Sequence, residues 1–124
     1  CLEAYIAGPG LVRLHRHFGG RSTSAEQWHQ AWLAGESAAR RARECHLVLL
    51  GGALANVVKL LSPQAIIIGG GLSAMDDLVA ALPAAIGEHL FPGVEVPDVM
   101  RSRLGDASGV RGAAMLGAGM TTTA

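Results

Sequence analysis

A β-branched run that ends abruptly in three glycines is the feature of this chain that most constrains its fold. The run Ala65-Ile66-Ile67-Ile68 is followed directly by Gly69-Gly70-Gly71. Successive β-branched residues favour an extended chain, so we expect a buried strand there. Glycines without a Cβ let a flat or anionic ligand approach the main chain closely, and a nucleotide is the first to consider. A tight turn that needs glycine only for its geometry is the alternative interpretation.

The composition excludes several classes of protein. The chain has 124 residues, half of them hydrophobic, which is enough for one folded domain with its own core. Ten basic and ten acidic residues cancel, so no general electrostatic attraction to nucleic acid or to a membrane surface is expected. No apolar run approaches the roughly 18 residues of a membrane span. The sequence therefore predicts a cytoplasmic protein with no membrane partner.

The two cysteines and the first residues predict a reduced segment of a longer protein. Cys1 and Cys45 lie far apart and lack the spacing of a disulfide scaffold or of a complete metal site. We expect Cys45 to be a packed core thiol. The chain begins with Cys1-Leu2-Glu3, already inside a helical pattern. This start predicts that a further portion precedes it.

The remaining elements follow from apolar spacing and from breaker residues. We predict two short helices separated by Gly8-Pro9-Gly10 and a third helix that is capped at residues 22–24 and ends at Gly35. A long helix over 36–61 follows, whose almost wholly apolar second half should be buried and which Ser62-Pro63 stops. An amphipathic helix over 73–90 follows the glycines. An extended segment over 94–103 comes next, and a last helix from about Asp106 is expected to pack its small residues on the sheet.

This order of elements is that of an α/β protein, in which a helix joins two parallel strands. Ligands of such units bind at the carboxyl ends of the strands. The run Gly69 to Ala74 matches the permissive dinucleotide fingerprint G-x-G-x-x-A, so a dinucleotide-binding module is one interpretation. That fingerprint also needs an acidic residue at the end of the next strand. Glu95 instead lies early in a segment interrupted by Pro97, so the match is weak.

Three separated segments, in order, resemble the carboxyl-terminal part of the ROK family of bacterial sugar kinases and related repressors. The first segment, residues 1–10, is similar to the end of that family's zinc-loop signature, where Cys-x-Glu enters a helix. The second, residues 54–73, resembles its helix-to-strand adenosine segment. The third, residues 105–114, resembles the start of its closing helix. Together these segments span essentially the whole chain.

The resemblance implies part of an actin-like, ribonuclease-H-like ATPase lobe that is rich in helices and has a short sheet. It implies that residues 1–124 are one structural unit, the carboxyl-terminal portion of a homodimeric kinase. Such a kinase uses ATP and Mg²⁺ to phosphorylate a hexose, as fructokinases and N-acetylhexosamine kinases do. The family's phosphate-binding loop and catalytic aspartate are absent from these residues, so no catalytic residue is assigned. A sugar-responsive repressor is the alternative within the family, and it would be recognised by an amino-terminal helix-turn-helix.

The resemblance assigns roles to five residues of this chain. Glu3 matches the glutamate that contacts a sugar hydroxyl, although a glutamate in the first turn of a helix is also favourable through the helix dipole alone. Gly69, Gly70 and Gly71 match the backbone wall beside the adenosine. Cys1 matches one of four zinc ligands of the longer protein. One cysteine cannot hold zinc alone, because structural zinc sites are four-coordinate, so we predict no bound zinc for these residues by themselves.

Overall fold

The computed structural model describes residues 1–103 and 108–119, in which six α-helices and two strands occur. In chain order the elements are α1 (Glu3–Ile6), α2 (Gly8–His17), α3 (Ala25–Leu33), α4 (Ser37–Leu61), β1 (Ala65–Ile68), α5 (Asp76–Gly87), β2 (Asp98–Arg101) and α6 (Ser108–Gly117). A short 3₁₀ helix over Gly71–Ala74 precedes α5.

The break between the first two helices lies at Ala7, and the predicted break at Gly8-Pro9-Gly10 is wrong. Ala7 is extended, with ψ of 175°, whereas the three breaker residues form the first turn of α2. Proline is tolerated there because the first N–H groups of a helix have no partner inside the helix and the fixed φ of proline suits it. Gly10 is buried, and a Cβ there would overlap the carbonyl group of Tyr5. The two helices therefore meet in a tight corner.

Local signals at the ends of α3 and α4 act as predicted. The Ser24 hydroxyl accepts a hydrogen bond from the backbone N–H of Gln27 at 3.3 Å, which caps α3. Gly35, with φ of 77°, ends that helix in the left-handed region. Helix α4 ends at Ser62, which has φ of 46° and precedes Pro63. Pro63 disfavours a helical conformation at Ser62, so the long helix stops there.

Helix α4 is the central element and packs against α1, α2, α3 and α5. One core cluster gathers around Trp28, and a second combines Ala55 and Val58 of α4 with Leu82 and Ile86 of α5. The expectation that the apolar second half of α4 is buried is wrong for its last turn, since Leu60 and Leu61 are 82% and 74% exposed. A helix buries only the stripe that faces its neighbours.

Helix α4 also corrects the expectation about apolar length. By length and composition alone, Ser37–Leu61 is apolar enough to cross a membrane. One such helix is weak evidence for a membrane protein, because the core helix of a soluble protein passes the same test. Helix α4 packs on four other helices and contributes residues to both core clusters.

The two strands pair in parallel, with Ala65 opposite Asp98 and Ile68 opposite Arg101, and α5 forms the crossover. The predicted α/β unit is thereby confirmed, although its α-helix begins at Asp76 because the 3₁₀ helix intervenes. The strand β1 is only half buried, contrary to expectation. Ile66 packs against the second core cluster, whereas Ile67 points to the opposite face and is 58% exposed.

Helix α6 does not pack its small residues as expected. Every residue of α6 whose side-chain burial is described, Gly109 to Gly117, is exposed. Residues 105–107 of the third family-like segment, including the expected helix start at Asp106, lie outside the described residues. Helix α6 therefore contributes no buried side chain among those described.

Candidate functional site

A cleft of about 860 Å³ opens at the carboxyl end of β1, where a parallel α/β unit is expected to bind its ligand. Its walls come from α1, the first turns of α2, the amino-terminal end of α3, the glycine loop of residues 69–71 and α5. Most lining side chains are apolar, for example Ile6, Val12 and Leu72. We call this opening the cleft. It is large enough for a small organic ligand, and its few polar groups could orient one within the mainly apolar lining.

The glycine loop presents bare backbone to the cleft. Gly70 has φ of 76° and ψ of −174°, a conformation that is nearly restricted to glycine. Among the described residues, no atom lies within 4 Å of a Cβ added to Gly70 or Gly71, so contact with that part of the chain is not what requires glycine there. Gly69, Gly70 and Gly71 all line the cleft. Their small size keeps that space open.

Ser73 holds the glycine loop in place, a role that the sequence interpretation missed. Its hydroxyl donates a hydrogen bond to the Gly70 carbonyl oxygen at 2.7 Å, and its backbone N–H donates to the same oxygen at 3.1 Å. Ser73 is buried. A serine three residues beyond the positive-φ glycine is the local signal that could have indicated this turn.

The structure brings Glu3 and the three glycines to the same cleft. Glu3 lies in the first turn of α1, and its side chain is exposed. Gly69 to Gly71 lie far along the chain but line the same opening, because α1 packs on α4 and α4 leads into β1. Cys1 is exposed and does not line the cleft. The roles assigned to these five residues remain predictions.

Two charged residues of the cleft, Arg13 and Glu26, were not identified from the sequence. Arg13 lies on α2 and Glu26 in the first turn of α3. Two hydrogen bonds lower the pKa of Glu26 below its ordinary value. The bond to the Ser24 side chain has the larger effect, and the bond to the backbone has the smaller one. No spacing rule links the two residues, because they share the cleft only after α2 and α3 have packed together.

The described residues do not form a zinc site. Within residues 1–103 and 108–119, no group of three or more His, Cys, Asp and Glu side chains could hold a metal ion. A structural zinc site needs four ligands, and Cys1 supplies only one. The zinc implied by the resemblance therefore does not fit the part of the chain that the structure describes.

A polar cluster outside the lining of the cleft links α3, α4 and α5. The Asp77 carboxylate on α5 lies 3.1 Å from Nε2 of His29 on α3 and 3.7 Å from Nε of Arg43 on α4. The Arg43 guanidinium also lies over the ring of Trp32, with 4.7 Å to its centroid. Trp28 and Trp32 stack with centroids 6.5 Å apart, as expected for packing residues on one helix face. This cluster is structural.

The two histidines of α2, His15 and His17, lie on different sides of the helix. His15 is buried, with Nδ1 2.8 Å from the Ser22 hydroxyl and Nε2 3.1 Å from Glu36 Oε1. His17 is exposed. Joint ligation of a metal by this pair is therefore excluded by their directions.

Comparison with known proteins identifies the chain. The family model described as ROK family matches residues 1–119. The chain belongs to the ROK family. The resemblance seen in the three sequence segments is thereby confirmed.

Similar members of the ROK family include sugar kinases. An N-acetylgalactosamine kinase, AgaK, from Shewanella sp. (strain ANA-3) is 38% identical over 97% of this chain and 39% of its own length. An N-acetyl-D-glucosamine kinase from Pasteurella multocida (strain Pm70) is 37% identical over 94% of this chain and 38% of its own. The chain thus spans about two fifths of the length of these curated relatives.

Solved ROK structures confirm the fold. A ROK hexokinase from Thermus thermophilus matches with a TM-score of 0.76 and 32% identity, covering 93% of this chain and 40% of that one. A ROK family glucokinase from Streptomyces griseus, in complex with glucose and AMPPNP, matches with a TM-score of 0.83 and 24% identity, covering 94% and 44%. The helix-rich chain with a short parallel sheet is therefore part of an actin-like ATPase fold, as expected.

Proposed function

We propose that this chain is the carboxyl-terminal part of an ATP-dependent sugar kinase and forms one structural unit of it. The observation that carries the proposal is the cleft, because Glu3 and the glycine loop line the same opening. A phosphoryl transferase must hold its acceptor and its donor side by side. Family membership and the names of the relatives support the same activity.

Glu3 supports the sugar side of the proposal. An ionised carboxylate is an acceptor for hydroxyl donors, and hydrogen bonds to a charged group are stronger than neutral ones. Because α1 is short and its neighbour Ala7 is extended, Glu3 is displayed at the mouth of the cleft on a separate helical turn. In the proposed kinase, Glu3 orients one sugar hydroxyl and takes no proton in the transfer.

The glycine loop supports the nucleotide side. Its backbone is unobstructed by side chains and is held by Ser73, so a flat adenosine can lie directly against it. The described residues supply neither a group of metal ligands nor a phosphate-binding loop with a catalytic base. Mg²⁺ would neutralise the charge of the transferred phosphoryl group when bound with ATP. Those parts of the reaction belong to segments of the longer kinase that we propose.

N-acetylhexosamines are the sugars that we propose as substrates. AgaK and the Pasteurella enzyme are named as N-acetylgalactosamine and N-acetylglucosamine kinases, which supports an N-acetylated acceptor over fructose. An apolar cleft is compatible with an acetyl methyl group. The complete kinase is proposed to be cytoplasmic and homodimeric. Zinc is not part of the proposal.

The two alternative functions receive less support. The relatives named above are kinases, so a repressor is not favoured. The dinucleotide-binding interpretation expects an α-helix that opens at the glycines. Here a 3₁₀ helix begins at Gly71, and the α-helix α5 begins only at Asp76.

The test is a coupled kinase assay on the product of the complete reading frame that contains this chain. We expect ATP turnover with N-acetylglucosamine or N-acetylgalactosamine and slower turnover with glucose and fructose. The Glu3→Gln variant should raise the KM for the sugar about tenfold, because a charge-assisted hydrogen bond is lost. Glu44→Gln on α4, exposed and outside the cleft, is the matched control. Absence of sugar-dependent turnover, or binding of NAD in preference to ATP, would overturn the proposal.

A further inference from the structure

Among the described residues that line the cleft, only Arg13 is positively charged. Neither the packing of the helices nor the proposed function uses its guanidinium. Arg13 lies on α2, one turn beyond Pro9, and is exposed. Within the part of the chain that the structure describes, its guanidinium makes no hydrogen bond, ion pair or ring contact. By contrast, Arg41 and Arg43 each lie over an aromatic ring of their own protein, at 4.5 Å and 4.7 Å.

Arg13 lines the cleft together with the glycine loop, and the helix that carries it begins close to that loop. A Cβ on Gly8 would lie 3.5 Å from the Cβ of Ala25 and 4.0 Å from Cδ2 of Leu72. The first turns of α2 and α3 therefore meet near Leu72, directly after the glycine loop. Arg13 lies one turn beyond Pro9 on α2, and both line the cleft together with Gly71 and Leu72. Glu3 lies on the other side of the Ala7 break, on α1.

We propose that the guanidinium of Arg13 stacks on the purine base of the bound nucleotide, opposite the glycine loop. This inference rests on the proposed function, since it presumes that the cleft receives ATP. A planar, weakly hydrated guanidinium stacks well on an aromatic face, and it needs no anion to do so. Arg13 would then form one side of a slot for the base, with the bare backbone of the glycine loop as the other.

The charges of the cleft favour the base over the phosphates as the partner of Arg13. Glu26 also lines the cleft, and its hydrogen bonds to the Ser24 side chain and to the backbone favour the ionised carboxylate. A triphosphate next to that carboxylate would be repelled. A neutral purine carries no such penalty, and the apolar neighbours Val12 and Leu72 suit it. In the proposed arrangement, the phosphates extend away from Arg13 and Glu26 toward the sugar, which lies between them and the Glu3 carboxylate.

The test measures binding of adenosine, ADP and ATP to the complete protein by isothermal titration calorimetry. Arg13→Ala should weaken all three compounds by the same factor, about fivefold, because the base is common to them. Arg13→Trp should retain binding by offering another flat surface, whereas Arg13→Lys should not. Arg16→Ala, on the same helix, exposed and outside the cleft, is the matched control and should bind like the unchanged protein. In the kinase assay, Arg13→Ala should raise the KM for ATP and leave kcat and the KM for the sugar unchanged.

Two other outcomes would overturn the inference. A loss that grows from adenosine to ATP and is restored by Arg13→Lys would show that Arg13 pairs with phosphate. Equal binding by Arg13→Ala and the unchanged protein would show that Arg13 does not contact the nucleotide. Failure of the unchanged protein to bind any of the three compounds is a different result, because it removes the proposed function itself. Thermal melting of each variant verifies that the fold is intact.

Discussion

Two regions of the molecule use glycine for opposite reasons. Where α4 crosses α5, a Cβ on Gly51 would overlap the carbonyl group of Ala85, so the absence of a side chain lets two backbones touch. At the glycine loop, a Cβ on Gly71 would meet no described atom within 4 Å. The first region is closed by the chain itself, and the second is left open. Glycine at the closed contact serves packing, whereas we propose that glycine at the open loop leaves space for a ligand.

The difference separates stability from function in this chain. Gly51 lies near the middle of α4, where this helix packs against α5, so a substitution there should disturb the packing of both helices. A side chain at Gly71 would contact no described residue, so we expect a substitution there to affect a ligand more than the stability of the fold. Measuring the unfolding free energy and ligand binding of variants in both regions tests whether the two properties are separable.

The largest expected effect is at the closed contact. Gly51→Ala should lower the free energy of unfolding by up to about 3 kcal/mol, because a methyl group forced against the Ala85 carbonyl must move a backbone. Gly52→Ala is the matched control. Its Cβ would lie 3.7 Å from the His89 ring, an ordinary contact, and alanine favours a helix over glycine by up to about 1 kcal/mol. Urea unfolding should thus give opposite signs for neighbouring glycines, and equal signs would contradict the close contact.

The next effect concerns His46, which joins the closed region to the cleft. It lies fully buried on α4, and its Nε2 donates a hydrogen bond to the Ile6 carbonyl oxygen on α1 at 2.8 Å. Burial lowers the pKa of His46 below its ordinary value of 6.5, although the bond to Ile6 raises it in part. The unfolded chain therefore binds a proton more readily than the folded chain. The contribution of His46 to stability is full above about pH 6.5 and is lost as the pH falls below that value toward the lowered folded pKa.

Replacing His46 with Leu isolates that contribution. The variant should lose about 1 to 2 kcal/mol at neutral pH, because the buried Ile6 carbonyl loses its donor. It should also show a shallower fall in stability than the unchanged protein between about pH 6.5 and pH 5. Urea unfolding at several pH values provides the measurement. An unchanged pH dependence would mean that His46 is not the group that titrates.

Local signals in the sequence predicted most of the elements but not their surroundings. The hydroxyl of Ser24 and the positive φ of Gly35 act within one turn of chain, so their effects could be read directly. The corner at Pro9 was misplaced because proline suits a first helical turn as well as it breaks a helix. The exposure of Ile67 depends on which elements cover the second face of the sheet. That is a property of the whole fold.

The candidate site shows the same division. Gly69 to Gly71 were singled out because their pattern is local, and Glu3 because it belongs to a segment typical of the ROK family. Arg13 and Glu26 were missed because an isolated arginine and an isolated glutamate on helices usually face solvent. Only the packing of α2 against α3 turns both into lining residues of the cleft. Charges brought together by tertiary contacts leave no spacing pattern in the sequence.

The smallest expected effect on stability, and the clearest effect on binding, is at the open loop. Gly71→Ala should change the free energy of unfolding by less than about 0.5 kcal/mol, because its methyl group meets no neighbour. We propose that the adenosine lies against the glycine loop, where the same methyl group would occupy part of its space. ADP should therefore bind to the complete protein about tenfold more weakly. Calorimetric titration measures the binding, and urea unfolding measures the stability.

Gly70→Ala separates a strained backbone from a blocked cleft. Its φ of 76° should cost an alanine about 1 kcal/mol or more in stability, although there is open space around the added methyl group. Gly71→Ala carries no such strain, so a loss of ADP binding without a loss of stability in that variant must come from the ligand. If Gly71→Ala bound ADP as well as the unchanged protein, the open loop would be a turn and nothing more, and the contrast with Gly51 would be one of geometry alone.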